Sequence, residues 1–268
     1  MKDVNPATAV RSPYKVAWHV WTALFMREFV SRMTTDRFAP VWLFLQPILH
    51  VVILVAVRDF IGSGRLVPGA EFIPWLVIGI STYIMFRTLW MQGMNAIQAN
   101  KALFAYRQVH PADTVLVRCA MEAKLQAFVL MVMVFMFTGL GFDMLPDAPL
   151  EAVEVLLAMS LLGLGMGLIS SVLVSFFPES SKIVNLIAFP LYFLSGVILP
   201  IQFMPHGIQE YLLYNPLLHA VELIRLEFFN TYHPVRGVNL WYVYQWAICT
   251  VLLGLALHVK FKIRMVAQ

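Results

Sequence analysis

Arg87 is the residue of this chain best placed to bind a charged ligand, because it interrupts a long apolar run, residues 72–98. If that run crosses a membrane, a central arginine costs about 2.5–3.5 kcal/mol on insertion scales, so it should face protein or water rather than lipid. Two interpretations stay open at this point. Arg87 either contacts an anionic ligand or a gate ion pair, or it pairs structurally with a neighbouring helix or reaches the membrane surface as a snorkelling charge.

Aromatic side chains accompany this arginine. Tyr83, Phe86 and Trp90 lie within about one helical turn of it, and Tyr192 lies in a later apolar run. Aromatic faces suit the stacking of sugar rings, although tryptophan and tyrosine are also enriched where helices meet the membrane interface. We predict that these four side chains and Arg87 are candidates for lining a ligand path.

Motifs for enzyme chemistry are absent from the sequence. The chain has no GxxxxGK[ST] phosphate loop, so it does not bind nucleotide by that route, and it has no HExxH or GxSxG motif. Its two cysteines form no paired metal motif, and its seven histidines have no ligand spacing. We therefore expect no metal site and no cofactor in this chain, and a membrane-embedded enzyme is only weakly supported.

The composition indicates that lipid is the solvent of these residues. The chain is 60% hydrophobic and 13% charged, with a mean hydropathy of +0.76, whereas soluble domains average about 25% charged residues. Its apolar runs have the length of transmembrane helices rather than of barrel strands. We predict an all-α integral membrane protein with six spans: 38–57, 72–98, 112–142, 155–177, 183–204 and 237–259.

The lysines and arginines predict the orientation of these spans. Of the 19, 14 fall on the side of the termini and 4 on the opposite side, with Arg87 inside a span. The positive side of a membrane protein is cytoplasmic, so both termini are expected inside. The net charge of +4 is then a property of topology and indicates no nucleic-acid partner.

Three segments do not read as spans. Residues 14–35 mix aromatic and charged side chains and predict an interfacial helix on the cytoplasmic leaflet. Residues 200–236 predict outer re-entrant helices, one of them starting at Asn215-Pro216. Residues 99–113 form a short basic insert between two spans, with Asp113 supporting the first turn of the next helix.

Several sequence blocks, in register along the chain, carry a resemblance to a known family. They are LFMREFVSRM (24–33) with VWLFLQP (41–47), AIQANKALFAYRQVHPADTVLVRCAME (96–122), FPESSKIVNLIAFPLYFLSGVILP (177–200) and NPLLHAVELIRLEFF (215–229). From about residue 20 onward the chain resembles the capsular polysaccharide export permeases of the KpsM type. That family consists of the transmembrane subunits of type-2 ATP-binding-cassette exporters.

The resemblance implies a division of labour between chains. The permease would form a homodimer that pairs with two copies of a separate ATP-binding subunit, which would hold ATP and Mg²⁺. The insert would be a coupling helix, residues 100–106, docked on that subunit. The implied coupling residues are Asn100, Leu103, Phe104 and Tyr106, with Lys101 and Arg107 at the rim, and Arg27, Glu28 and Arg32 in the interfacial helix.

The resemblance also implies a cargo and further partners. The cargo would be a lipid-linked, commonly acidic capsular polysaccharide moved across the bacterial inner membrane. A periplasmic co-polymerase-like protein and an outer-membrane polysaccharide exporter would continue the path. Export of O-antigen or teichoic acid is the alternative within the transporter class, and a membrane-embedded transferase or scaffold is the alternative outside it.

Overall fold

The computed structural model describes residues 13–34, 38–61, 67, 69–106 and 108–266, and these residues are mainly helical with no β-strand among them. The α-helices are α1 (Pro13–Thr34), α2 (Ala39–Ile61), α3 (Phe72–Ala99), α4 (Pro111–Gly139), α5 (Pro149–Phe176), α6 (Ser180–Leu194), α7 (His206–Leu212), α8 (Pro216–Phe228) and α9 (Leu240–Val266). Two 3₁₀ helices join them, Lys101–Ala105 and Ile201–Phe203. The all-α prediction is confirmed. The first of the 3₁₀ helices, Lys101–Ala105, is called the insert helix below.

Five of the described helices are long and apolar enough to cross a membrane: α2, α3, α4, α5 and α9. The remaining predicted span, 183–204, has a different structure, because α6 ends at Leu194 and Gly196 takes a positive φ of +68°. A helix of 15 residues is about 22 Å long, shorter than the roughly 30 Å hydrocarbon core. The count of six spans therefore stays a prediction.

Two helix ends differ from the predicted boundaries for local reasons. α5 begins at Pro149 rather than near residue 155, because proline is tolerated at a first helical position and the acidic side chain of Glu151 suits the first turn. α9 continues to Val266 rather than ending at residue 259. Its last turn contains Arg264. Arginine is a good helix former, and its positive charge interacts favourably with the negative end of the helix dipole.

Small residues allow the central helices to approach closely. A Cβ added at Gly93 of α3 would lie 3.0 Å from the Cα of Gly167 in α5, and one added at Gly163 would lie 3.0 Å from the Cβ of Leu89. On the other side of α5, a Cβ at Gly165 would lie 2.2 Å from the hydroxyl of Thr250 in α9. Glycines on two sides of α5, Gly163 and Gly167 toward α3 and Gly165 toward α9, therefore let both helices pack closely against it, as small residues do in membrane helices.

The segment between α6 and α9 contains two short helices, α7 and α8, as the sequence predicts. The amide side chain of Asn215 caps α8 by accepting from the backbone N–H of Leu217 at 3.0 Å. α8 then inserts Arg225, which is fully buried, over the ring of Trp75 in α3 at 3.5 Å. Glu222 pairs with it at 3.2 Å. Arg225 is thus the anchor of α8 on the bundle, a role that no local sequence pattern predicts.

Helix α2 stands at the margin of the bundle. Within the apolar part of α2, residues 41–58, only 11% of the residues are buried by the rest of the chain, compared with 78% in α3. Val52 and Ile53 are more than half exposed on it, and Leu186 and Phe189 of α6 are about two-thirds exposed or more. The two helices thus leave broad apolar faces uncovered by the chain itself.

Candidate coupling site and substrate path

Asn100 joins α1 to the start of the insert. Its side chain is 2% exposed, and its Oδ1 accepts a hydrogen bond from the guanidinium of Arg27 at 2.6 Å. Its Nδ2 donates to the Glu28 carboxylate at 2.8 Å and to the Ala96 carbonyl at 3.0 Å. One amide therefore holds two oppositely charged residues of α1 at the end of α3.

Ion pairs and an indole extend this contact to α4. The Glu28 carboxylate lies 3.7 Å from the Nε of Arg118, and Arg32 lies 3.2 Å from Glu122, which is 1% exposed. The indole of Trp21 donates to Asp113 at 2.9 Å. α1 is thus fixed along the first half of α4. Arg27, Glu28 and Arg32, which the resemblance implies as coupling residues, all make contacts within the chain.

The insert helix presents two different faces. Lys101 and Tyr106 are exposed, Tyr106 at 67%, while Leu103 is half-buried. Phe104 is only 8% exposed and belongs to an apolar cluster with Ile97 and Met265. The predicted anchor Phe104 therefore packs inside the chain between α3 and α9. Arg107 lies outside the described residues.

The chain leaves the insert through a capped turn. Pro111 occupies the first turn of α4, and the Asp113 carboxylate accepts from the backbone N–H of His110 at 3.2 Å. A carboxylate in this position accepts a hydrogen bond from a backbone N–H that has no partner within the helix, and its negative charge interacts favourably with the positive end of the helix dipole. This confirms the expectation that Asp113 supports the start of that helix.

The predicted path aromatics form one connected row. The rings of Tyr83 and Tyr192 are 4.9 Å apart, those of Tyr83 and Phe86 are 6.2 Å apart, and those of Phe86 and Trp90 are 5.6 Å apart. The Tyr83 hydroxyl donates to the Ala188 carbonyl, and the Trp90 indole donates to the Ser170 hydroxyl at 2.8 Å. All four rings are buried, so in this conformation they pack α3 against α5 and α6 rather than facing an open passage.

Arg87 differs from these aromatics because its side chain is exposed on the surface of the chain. It lies one helical turn from Tyr83, whose ring contacts that of Tyr192 of α6 at 4.9 Å between centroids. His50 of α2 also shares a hydrogen bond with the Tyr192 hydroxyl of α6 at 2.9 Å. Sequence reasoning missed His50, because a lone histidine in an apolar run has no spacing to mark it. Its one signal was that it is a polar side chain within a predicted span.

Sequence reasoning also missed the charges of α4 that hold α1. Arg118 and Glu122 lie in the first half of a predicted span, and charges there need partners. Across the described residues, no group of three or more histidine, cysteine, aspartate or glutamate side chains could hold a metal ion.

Comparison of the sequence with known proteins identifies the family of this chain. The sequence profile of the ABC-2 type transporters matches residues 19–229, which include most of α1, the insert and α8. The chain belongs to the ABC-2 type transporter family. The match covers both the residues that fix α1 to the insert and the row of aromatic residues.

Individual members of this family align over almost the whole chain. The polysialic acid transport protein KpsM of Escherichia coli is 32% identical over 250 residues, covering 92% of this chain and 95% of the relative. The capsule polysaccharide export inner-membrane protein CtrC of Neisseria meningitidis serogroup A is 27% identical over 265 residues, or 98% of each chain. The corresponding protein BexB of Haemophilus influenzae is 25% identical over 229 residues, covering 83% and 84%.

Proposed function

We propose that this chain is the permease subunit of an exporter that moves lipid-linked, acidic capsular polysaccharide across the bacterial inner membrane. The observation that carries the proposal is the alignment over 92% or more of the chain with proteins named for polysialic acid transport and capsule polysaccharide export. The five long apolar helices agree with a multi-pass subunit. In this proposal the chain catalyses no reaction itself.

ATP hydrolysis is assigned to a separate subunit, present in two copies, that binds ATP and Mg²⁺. This assignment rests on the family and on the missing phosphate loop. The proposed docking surface consists of Lys101 and the edge of Leu103 on the insert helix, together with Tyr106, the residue that follows it. Phe104 on the buried face then passes displacement to α9 through Met265.

Arg87 supports a homodimer with the path between the subunits. An exposed arginine near the middle of α3 would meet lipid in a lone subunit, and that is unfavourable. A second copy facing α2 and α6 would instead enclose Arg87 in an aqueous path, where it attracts an acidic polymer. The cytoplasmic termini and the periplasmic and outer-membrane export partners belong to the same proposal.

Deletion and complementation test the transport function. Cells lacking this chain should accumulate polymer inside and lose it from the surface, as shown by staining intact and permeabilised cells. Absence of polymer from both compartments would instead support a synthetic role. In the complemented strain, Arg87→Ala should reduce surface polymer while Arg87→Lys, which keeps the charge, retains more of it. Full surface polymer with Arg87→Ala would remove this residue from the path.

Co-purification tests the docking surface. Tyr106→Glu with Lys101→Glu should reduce the amount of ATPase subunit that co-purifies, since both changes place negative charge on an exposed contact face. Lys182→Glu, an exposed charge reversal on α6, is the matched control and should leave the amount unchanged. Undiminished ATPase with the insert variants would place the contact elsewhere.

A further inference from the structure

The last turns of α9 project beyond the hydrocarbon core on the side of the insert. Gly165 lies at the centre of the uncharged run of α5, residues 155–177, and it packs against Thr250 of α9. Thr250 therefore marks the middle of the membrane, from which the surface of the hydrocarbon core is about 15 Å away. Ile263 lies about 20 Å from Thr250 along the helix axis, a depth of about 18 Å for a helix tilted by about 20°. Ile263 and the residues after it thus lie outside the hydrocarbon.

The other end of α9 agrees with this depth. The helix begins at Leu240, about 15 Å from Thr250 in the opposite direction, so it starts at the other surface of the core. Trp241 is 72% exposed there, in the interfacial position that tryptophan favours. A helix of 27 residues is about 40 Å long, so about 10 Å of it must extend past the core at the insert side.

A pocket of about 460 Å³ lies between this projecting end and the insert. Lys262, Ile263 and Val266 form its α9 wall, and the opposite wall includes Phe104 and Val109. Ile263 is 83% exposed, so the chain itself does not cover this apolar side chain. Lipid tails do not reach it either, because it lies outside the hydrocarbon. An exposed apolar pocket at this depth indicates a contact with another protein.

The end of α9 that borders the pocket is strongly basic. Lys260, Lys262 and Arg264 are all exposed, and none of them forms an ion pair with another described residue. No aspartate or glutamate is among the described residues that line the pocket. An apolar pocket beside three cations is complementary to an apolar side chain flanked by carboxylates.

We propose that this pocket is a second docking point for the ATP-binding subunit, which inserts an apolar side chain flanked by carboxylates between α9 and the insert. The inference rests on the proposed function, in which that subunit docks on Lys101 and Tyr106. Phe104 belongs to the same insert helix and lines the pocket, so the two contacts form one continuous surface. Movement of the ATP-binding subunit then acts on α9 directly as well as through the insert.

Two occupants supplied by this chain itself do not match the charge of the pocket. Residues 1–12 carry Lys2 and Arg11 against Asp3 alone, so they would add positive charge to a basic surface. The end of α9 in a second copy carries the same three cations and would repel the first. An acidic surface of the ATP-binding subunit has neither disadvantage.

Site-specific photo-crosslinking identifies the occupant. The full chain is co-expressed with its ATP-binding subunit, and p-benzoylphenylalanine replaces Ile263, Tyr106 or Leu252. Irradiated membranes should yield an adduct with the ATP-binding subunit at Ile263 and at Tyr106. Leu252 is 62% exposed on the same helix at hydrocarbon depth and should yield none.

The pattern of adducts separates this inference from the proposed function. An adduct at Tyr106 without one at Ile263 would overturn the inference and leave the proposed docking on the insert standing. No adduct at either position would count against both. An Ile263 adduct with a second copy, or with residues 1–12, would also overturn the inference.

Co-purification gives a second readout. Ile263→Glu places a carboxylate where an acidic partner is expected, and it should lower the amount of co-purifying ATP-binding subunit about tenfold, the effect of one interface anchor. Ile263→Leu keeps an apolar side chain and should leave the amount unchanged. Both variants should elute like the unmodified chain in gel filtration, because Ile263 is exposed. Equal amounts of the ATP-binding subunit with both variants would overturn the proposal.

Discussion

Asn100 shows how one neutral side chain organises a charged site. Arg27 and Glu28 are neighbours on α1, yet both reach the same amide, one as donor and the other as acceptor. Asparagine suits this position because its side chain carries both a donor and an acceptor group. The amide therefore fixes the position of α1 relative to the first residue of the insert.

Replacing Asn100 should separate export from ATPase binding. Asn100→Ala removes hydrogen bonds to two charged groups and should lower the free energy of unfolding by about 1–2 kcal/mol. Because Lys101 and Tyr106 are unchanged, the ATPase subunit should still co-purify while surface polymer falls. Asn95→Ala, on the exposed face of α3 one turn before Asn100, is the control and should preserve both ATPase binding and surface polymer. Normal export with Asn100→Ala would show that export does not depend on the link that Asn100 makes between α1 and the insert.

The hydrogen bonds of His219 in α8 favour the neutral form of its ring. It is 3% exposed, its Nε2–H donates to the Leu213 carbonyl at 2.7 Å, and its Nδ1 accepts from the backbone N–H of Asn239 at 2.8 Å. A proton on Nδ1 would displace that second bond. Burial lowers the pKa of His219 below its ordinary value of 6.5.

The pH dependence of stability follows from this lowered pKa. A folded-state pKa below the unfolded value gives stabilisation that is complete above pH 6.5 and is lost as the pH falls through the folded value. Thermal unfolding in detergent should therefore occur at lower temperature as the solution is acidified. His219→Gln should flatten this dependence, whereas His206→Gln at an exposed site should not. Identical slopes in both variants would exclude His219 as the source.

At the scale of elements, α8 is held by a buried ion network rather than by apolar contact alone. Arg225 donates to the carbonyls of Gly196 and Val197 at 2.8 and 2.9 Å. The Tyr232 hydroxyl donates to Glu222 at 2.9 Å. A buried ion pair of this kind resists disruption mainly because a displaced charge would be left without partners.

Gly79 is the position at which this network is most easily disturbed. A Cβ there would lie 2.2 Å from a terminal nitrogen of Arg225, so Gly79→Ala must displace a fully buried guanidinium. We expect a loss of about 2–4 kcal/mol in the free energy of unfolding, measured in mixed micelles. Gly139→Ala is the matched control, because nothing lies within 4 Å of its added Cβ. Equal stability in the two variants would refute the close contact.

Hydrophobic length predicted the long helices, but it could not predict how the irregular segments end. α2, α3 and α4 lie close to their predicted ranges because a run of about 20 apolar residues has few alternatives in a membrane. The end of α6 depends on Gly196 and on the carbonyls that Arg225 binds, which are long-range contacts.

The candidate site was only partly predictable for a similar reason. The sequence places Phe104 in the insert, but its burial depends on Met265, more than 150 residues away. The pairing of α1 with Asn100 likewise joins distant segments that no local pattern relates. A single unusual residue such as Arg87 can be recognised in the sequence, whereas the residues that it contacts can be identified only from the fold.

At the scale of the whole molecule, one charge and two poorly packed helices point to the same face. Arg87 is exposed on α3, one turn from Tyr83. The Tyr83 ring contacts Tyr192 of α6, and the Tyr192 hydroxyl shares a hydrogen bond with His50 of α2. Apolar exposure alone does not demand a protein partner, because lipid can cover it equally well. An exposed arginine within a span, by contrast, requires either a protein partner or water. The face bordered by α2 and α6 is therefore the one expected to meet a second copy.

Cysteine cross-linking in native membranes tests this assignment. With Cys119 and Cys249 replaced by serine, Val52→Cys and Leu186→Cys place thiols on exposed faces of α2 and α6. If two copies meet there, a short bifunctional thiol reagent should produce a covalent dimer at one or both positions. Leu252→Cys is similarly exposed, on α9, and should remain monomeric because that face is expected to meet lipid. Dimers formed only through the α9 cysteine would place the interface at α9 rather than at α2 and α6. Arg87 would then not lie in a path between the two subunits.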